Sequence, residues 1–254
     1  MRGSCLCGQV AFEVEPPLRP VIACHCTQCR RWSGHYWSAS SVPLDRFRLL
    51  REEGLRWYRA SDTASRGFCA GCGASLFWKP DDEARISFSP AAIDGPTGLA
   101  TAEHIFTAEA GDYYAPEGPP PPRAEAPSRL AAACLCGATR FTVPGPAGEV
   151  VACHCEQCRK TSGQFHAAFE VPPADLVYQS RDRLAEHRAA NGAVRGFCAA
   201  CGSSLWFRGV AGDLWIESGA VEGPTGGRLA RHLHVAEKVD WYPLDDGLPQ
   251  RPGE

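Results

Sequence analysis

The sequence predicts a mainly β chain built as two tandem domains of short strands, each closed by clustered cysteines. Three observations predict it. Fourteen cysteines recur at one constant offset, they fall in tight pairs, and the stretches between them alternate apolar and polar residues under dense glycine and proline punctuation.

Subtracting 129 from each cysteine of the second half gives a cysteine in the first. Cys134, Cys136, Cys153, Cys155, Cys158, Cys198 and Cys201 map onto Cys5, Cys7, Cys24, Cys26, Cys29, Cys69 and Cys72, with none left over. Arg66-Gly67-Phe68 matches Arg195-Gly196-Phe197 at the same offset. Later the offset falls to 128, so Gly95-Pro96-Thr97-Gly98 matches Gly223-Pro224-Thr225-Gly226, and His104 matches His232. One repeat is far longer than a solenoid unit, so the pattern is a duplicated domain. The boundaries expected are 1–116 for the first copy, 117–129 for the linker and 130–254 for the second. The run Pro119-Pro120-Pro121-Pro122 marks that linker as an extended spacer of about 3.1 Å per residue.

Along one copy, Val10, Phe12 and Val14 alternate with Ala11 and Glu13 as a half-buried strand. Val21-Ile22-Ala23 and Val150-Val151-Ala152 read as strands leading into three cysteines. Gln28 to Trp32 reads as one helical turn ended by Ser33-Gly34. Tyr36 to Val42 and Phe165 to Val171 read as strands entering a proline turn. Further strands are expected at 46–50, 55–60, 74–78, 85–89 and 103–107, and a helix only at 181–190.

The cysteine spacing decides between disulfides and metal. The chain shows no secretory leader, and C-x-C and C-x-x-C pairs are metal-ligand spacings, so thiolates in a reducing cytoplasm are expected. Thiolate sulfur is a soft ligand suited to zinc. Cys5, Cys7, Cys69 and Cys72 form one four-sulfur set, and Cys134, Cys136, Cys198 and Cys201 its twin; each set would stitch distant segments together. Four thiolates suit iron as well. Cys24, Cys26 and Cys29, like Cys153, Cys155 and Cys158, leave a tetrahedral ion one ligand short. That is the usual arrangement of a catalytic rather than a structural zinc. His25, His154, His104 and His232 are candidate fourth ligands. A residue wedged between two ligands, as His25 and His154 are, usually points away, and hydrogen bonding within a strand is the preferred reading of His104 and His232.

These motifs resemble those of the glutathione-dependent formaldehyde-activating enzyme family, the GFA or CENP-V-type domain. They are Gly3-Ser4-Cys5-Leu6-Cys7-Gly8, Cys24 to Gly34, Phe68-Cys69-Ala70-Gly71-Cys72-Gly73 and His104-Ile105. The second copy has Cys134-Leu135-Cys136-Gly137, Cys153 to Gly163, Phe197 to Gly202, His232-Leu233 and Trp241-Tyr242. The resemblance implies two tandem Mss4-like β domains with up to two Zn2+ per domain, four per chain. It also implies a carbon–sulfur lyase that forms or cleaves S-hydroxymethylglutathione from glutathione and formaldehyde. In that reading Cys24, Cys26, Cys29, Cys153, Cys155 and Cys158 hold the reactive zinc ions. Arg30, Arg31, Arg159 and Lys160 would bind substrate carboxylates or screen the anionic sites, unless they are plain surface cations. Trp32 and Trp37 would wall a pocket that carries Thr161 and His166 in the second copy. The alternative is a non-catalytic zinc module for protein interaction or metal handling.

The bulk numbers restrict partners. A net charge of −3 divides evenly between the copies, which argues against nucleic acid. No apolar run reaches the 18 residues that would suggest a membrane span.

Overall fold

The computed structural model describes residues 1–253. The first copy has ten strands. They are β1 (Arg2–Ser4), β2 (Ala11–Val14), β3 (Val21–Cys24), β4 (Trp37–Pro43), β5 (Phe47–Arg51), β6 (Leu55–Ser61), β7 (Ala64–Cys69), β8 (Ser75–Pro80), β9 (Arg85–Phe88) and β10 (Thr101–Ile105). One helix, α1 (Thr27–Ser33), follows β3. The second copy repeats the series. It has β11 (Arg129–Ala133), β12 (Thr139–Pro144), β13 (Glu149–Cys153), α2 (Glu156–Ser162), β14 (His166–Val171), β15 (Val177–Arg181), β16 (Leu184–Arg188), β17 (Val194–Cys198), β18 (Ser204–Arg208), β19 (Leu214–Glu217) and β20 (Arg228–Leu233).

Each copy folds as a three-stranded sheet, β1-β2-β5 or β11-β12-β15, beside a seven-stranded one. The larger sheets run β10-β3-β4-β9-β8-β7-β6 and, in the same order, β20-β13-β14-β19-β18-β17-β16. All pairings are antiparallel except β10 with β3 and β20 with β13. Inward residues of β2 and β8 explain why the layers stay together: Phe12 meets Phe77 edge-on at 5.1 Å between ring centres, and both are fully buried.

The short helices follow from their ends. Cys26 caps α1 by accepting the Cys29 N–H at 3.4 Å. Gly34 closes it at φ 90°, a left-handed conformation that disfavours any residue with a Cβ.

Two expectations fail. Residues 181–190 are not helical; they hold β16, which turns through Asn191-Gly192 into β17, with Ala189 N–H bonded to the Ala193 carbonyl at 2.8 Å. The Asn-Gly hairpin signal outweighs the helix-favouring composition before it. β7 was also unexpected, because Ser65, Arg66 and Gly67 carry little strand propensity; pairing with β6 and β8 on its two sides and burial of Arg66 and Gly67 hold it there.

The two copies share one apolar interior. A single core cluster contains Val21, Tyr36 and Tyr113 of the first copy with Phe165, Trp206 and Ile216 of the second. The contacts are reciprocal about a pseudo-twofold relation. Phe68 lies against Gly202 and Phe197 against Gly73. Asp112 accepts the N–H groups of Thr225 and Gly226, while Asp240 accepts those of Thr97 and Gly98, at 2.7–2.9 Å.

Candidate metal centres

All fourteen cysteines are unpaired thiols, and they converge on four places. Cys5, Cys7, Cys69 and Cys72 gather in one group and Cys134, Cys136, Cys198 and Cys201 in its twin, with all sulfurs of a group within 4.8 Å of one another. Neighbouring sulfurs lie 3.4–3.7 Å apart in these groups. A tetrahedral ion with metal–sulfur bonds of about 2.3 Å spaces its sulfurs roughly 3.8 Å apart, so the donor sets fit zinc in chemistry and in size. Backbone N–H groups of Val10 and Thr139 point at Cys5 and Cys134 from 3.2 and 3.3 Å, as suits sulfurs carrying negative charge.

Cys24, Cys26 and Cys29 form a third group and Cys153, Cys155 and Cys158 a fourth. Among the described residues, no histidine, aspartate or glutamate atom joins either three-sulfur group within 4.8 Å. Hydrogen bonding to the flanking thiols Cys24 and Cys29 holds Cys26 down to about 2, and Cys153 with Cys158 does the same for Cys155.

The histidines are occupied elsewhere. His25 Nδ1 lies 2.6 Å from the Tyr114 hydroxyl and its Nε2 lies 2.8 Å from His104 Nδ1. His154 repeats this with Tyr242 at 2.7 Å and His232 at 2.9 Å, and His232 continues to Asp246 at 2.8 Å. Burial pushes both His25 and His154 down to about 3, so they stay neutral. These buried chains fix β10 against β3 and β20 against β13, and they turn both wedged imidazoles away from the sulfurs.

Each three-cysteine group opens onto a cavity. The first, of about 500 Å³, is lined by Cys24, Cys26, Cys29, Trp37, Trp78 and Arg66, and by Arg19 and Arg85. The second, of about 760 Å³, is lined by Cys153, Cys155, Cys158, His166, Phe207 and Arg195 among others. Closed four-sulfur sets and open three-sulfur sets therefore occur once each in both copies.

Comparison with known protein families matches residues 1–109 and 129–236 to the glutathione-dependent formaldehyde-activating enzyme family. The chain belongs to that family. Among curated relatives, a putative glutathione-dependent formaldehyde-activating enzyme of Halomonas elongata is 30% identical over 130 residues, covering 46% of this chain and 81% of the relative. An uncharacterized lyase of Schizosaccharomyces pombe is 31% identical over 78 residues, 30% of this chain; the chain spans only 55% of that relative's length. A crystal structure of a Rhodobacter sphaeroides protein is 27% identical and covers 41% of this chain and all of its own, with a TM-score of 0.35.

Within this family chain, the four cations that follow the clusters do not face the cavities. Arg30, Arg31, Arg159 and Lys160 line neither one. Arg31 donates to the Cys134 carbonyl at 3.0 Å and pairs with Glu222 at 3.2 Å. Arg159 donates to the Ala91 carbonyl at 2.5 Å, and Lys160 pairs with Asp94 at 2.8 Å. The last turn of each helix faces the opposite copy, where Arg31, Arg159 and Lys160 fasten the copies together, while Arg30 Nε is buried without a hydrogen-bond partner. Trp37 walls the first cavity, whereas Trp32 is fully buried and donates its indole N–H to the Cys201 carbonyl at 3.0 Å.

Two arginines take the place expected for those cations. Arg66 Nη2 points at Cys29 Sγ from 3.4 Å and Arg195 Nη2 at Cys158 Sγ from 3.6 Å; both guanidiniums are buried. Arg195 stays firmly protonated: burial works against its charge, and the Cys158 and Cys155 sulfurs outweigh burial. The signal for both lay in the matched Arg-Gly-Phe triplets, which end one residue before a four-sulfur ligand.

Proposed function

We propose that each three-cysteine cluster is the reaction centre of a zinc-dependent carbon–sulfur lyase that joins a thiol such as glutathione to formaldehyde, or separates the two. The four-cysteine groups are then structural zinc sites, giving four Zn2+ per chain. The observation that carries this reading is the opening of Cys24, Cys26 and Cys29, and of their counterparts, onto a cavity with no fourth protein ligand. Family membership and the names of the relatives support the same reaction class. Fourteen unpaired thiols suit a reducing compartment such as the cytoplasm.

Bound zinc would offer its open position to the substrate thiol and keep that sulfur deprotonated near neutral pH. The chain's own residues do the rest. Cys24, Cys26 and Cys29 would hold the ion, and Arg66, at 3.4 Å from Cys29 Sγ, would offset the negative charge of the sulfurs. Trp37 and Trp78 form an apolar wall of the cavity beside the sulfurs. In the forward direction the thiolate sulfur attacks the carbonyl carbon. A carbon–sulfur bond forms as the carbonyl π pair moves to oxygen, which takes a proton from solvent. The reverse reaction breaks the same bond and returns thiolate and aldehyde.

The test is NMR exchange spectroscopy between glutathione and labelled formaldehyde, with the zinc-loaded chain and a Cys26→Ser, Cys155→Ser double variant. Protein-dependent acceleration that vanishes in the variant is expected. A zinc-loaded chain that leaves the spontaneous rate unchanged would remove the lyase assignment.

A further inference from the structure

The two cavities carry opposite charge. Arg19, Arg66 and Arg85 line the first together with one carboxylate, Glu83. Arg195 lines the second against Glu156, Asp213, Glu217 and Glu237. Arg66 and Arg195 are counterparts held at cluster sulfurs, so the contrast comes from Arg19 and Arg85 in the first cavity and from the additional carboxylates of the second. Strand register identifies what replaces Arg19 and Arg85. Ser40 pairs with Phe88 across β4 and β9, and Phe169 with Ile216 across β14 and β19, which sets Asp213 in the place of Arg85. Arg19 stands two residues before Val21, and Gly148 stands two residues before its counterpart Val150.

Arg19 and Arg85 are anchored to the same strand. Arg19 Nη2 donates to the Ala39 carbonyl at 3.0 Å, and Arg85 Nη2 donates to Ser41 Oγ at 2.9 Å, both on β4. Among the described residues neither guanidinium is ion-paired with a carboxylate, and Arg19 Nε is buried without a hydrogen-bond partner. Glu83 is exposed and bonds to neither. Burial and the adjacent Arg85 charge lower the Arg19 pKa, and the Glu83 and Glu103 carboxylates only partly offset them. In the second cavity Asp213 accepts from the Trp215 indole at 2.5 Å and Glu217 binds buried His166 at 2.6 Å.

We propose that Arg19 and Arg85 form a carboxylate clamp that makes the first copy the site for anionic thiols of the glutathione type, and that the second copy serves thiols without a carboxylate. The division rests on reading the three-cysteine clusters as thiol sites. The anion end of the substrate sits between the two guanidiniums, with its sulfur directed toward Cys24, Cys26 and Cys29. Asp213 repels the same group in the second copy. Charge-assisted hydrogen bonds of this kind are worth about ten- to a hundredfold in affinity each.

Calorimetric titration with S-methylglutathione, which keeps both carboxylates but has no free thiol, reads the clamp without turnover. The zinc-loaded wild type is expected to bind one equivalent per chain. Arg85→Gln should weaken binding at least tenfold at unchanged zinc content, and Arg85→Lys should restore part of the loss. If Arg85→Gln fails to load zinc, Arg19→Gly, which installs the residue of the second copy, takes its place. Absence of binding, two equivalent sites, or unchanged affinity in the variant would each overturn the clamp. A kinetic arm compares glutathione with uncharged 2-mercaptoethanol: KM for glutathione should rise at least tenfold relative to that for 2-mercaptoethanol in Arg85→Gln, and an equal rise for both would also overturn it. If the wild type accelerates neither thiol, the lyase reading fails, and calorimetry still decides the clamp.

Discussion

The four-cysteine and three-cysteine groups use the same ligand atom at nearly the same spacing, yet they are placed for different ends. In the first copy, Cys5-x-Cys7 and Cys69-x-x-Cys72 come from loops 62 residues apart in sequence, with a 3.6 Å sulfur contact between Cys7 and Cys69. Cys24, Cys26 and Cys29 all belong to one short stretch that runs from the last residue of β3 into the first turn of α1, and they face a cavity. A metal ion in the first setting closes a long loop; in the second it closes almost none. The difference teaches that ligand spacing along the chain, more than ligand number, separates a metal that holds the fold from one that is free to do chemistry.

That comparison can be broken in four places. Cys72→Ser should have the largest effect on stability, because it removes one ligand from a metal whose binding energy is folding energy, on the order of 10 kcal/mol for structural zinc. Loss of the cooperative melting transition together with loss of zinc is expected; wild-type melting would contradict the structural role. Trp32→Ala should cost about 3–5 kcal/mol in urea unfolding. It empties a fully buried site and leaves the Cys201 carbonyl without its indole partner, so both copies should unfold together.

Cys26→Ser sharpens the contrast. It should lose one metal ion and the chemistry of its own copy while the melting temperature moves little, since its neighbours lie within three residues. A collapse of the fold would place this cluster with the structural ones. Asp240→Asn should have the smallest effect, about 1 kcal/mol. Although burial alone would raise it, the Asp240 carboxyl is lowered by the N–H groups of Gly98 and Thr97 and by the Thr97 hydroxyl. Its contribution is therefore fully present above the ordinary carboxylate range and fades as pH falls through the lowered value. The acid limb of a stability profile should flatten slightly in the variant.

Much of this was readable from residue order alone. Cysteine offsets revealed the duplication and both kinds of cluster, because metal ligation leaves spacings that no other constraint produces. The position of His25 between two cluster cysteines already directed it away from their sulfurs, and the structure shows the Tyr114 and His104 partners that keep it there. What the order of residues did not disclose is pairing across the copies. Arg31, Arg159 and Lys160 resemble free cations until α1 and α2 are seen facing the opposite copy. Arg19 and Arg85 carried no signal, since they have no counterpart in the second copy, and an absence of repetition becomes informative only when sheet register identifies Gly148 and Asp213 opposite them.

The central claim is that two of the four metal centres keep a position open for a substrate sulfur. X-ray absorption at the zinc edge of the fully loaded chain, with and without glutathione, tests it most directly. The account predicts four zinc ions per chain and sulfur-only protein ligation, with the average number of sulfurs per zinc rising when the thiol is added. An average of four sulfurs per zinc that glutathione does not change, or histidine nitrogen in the shell, would contradict it.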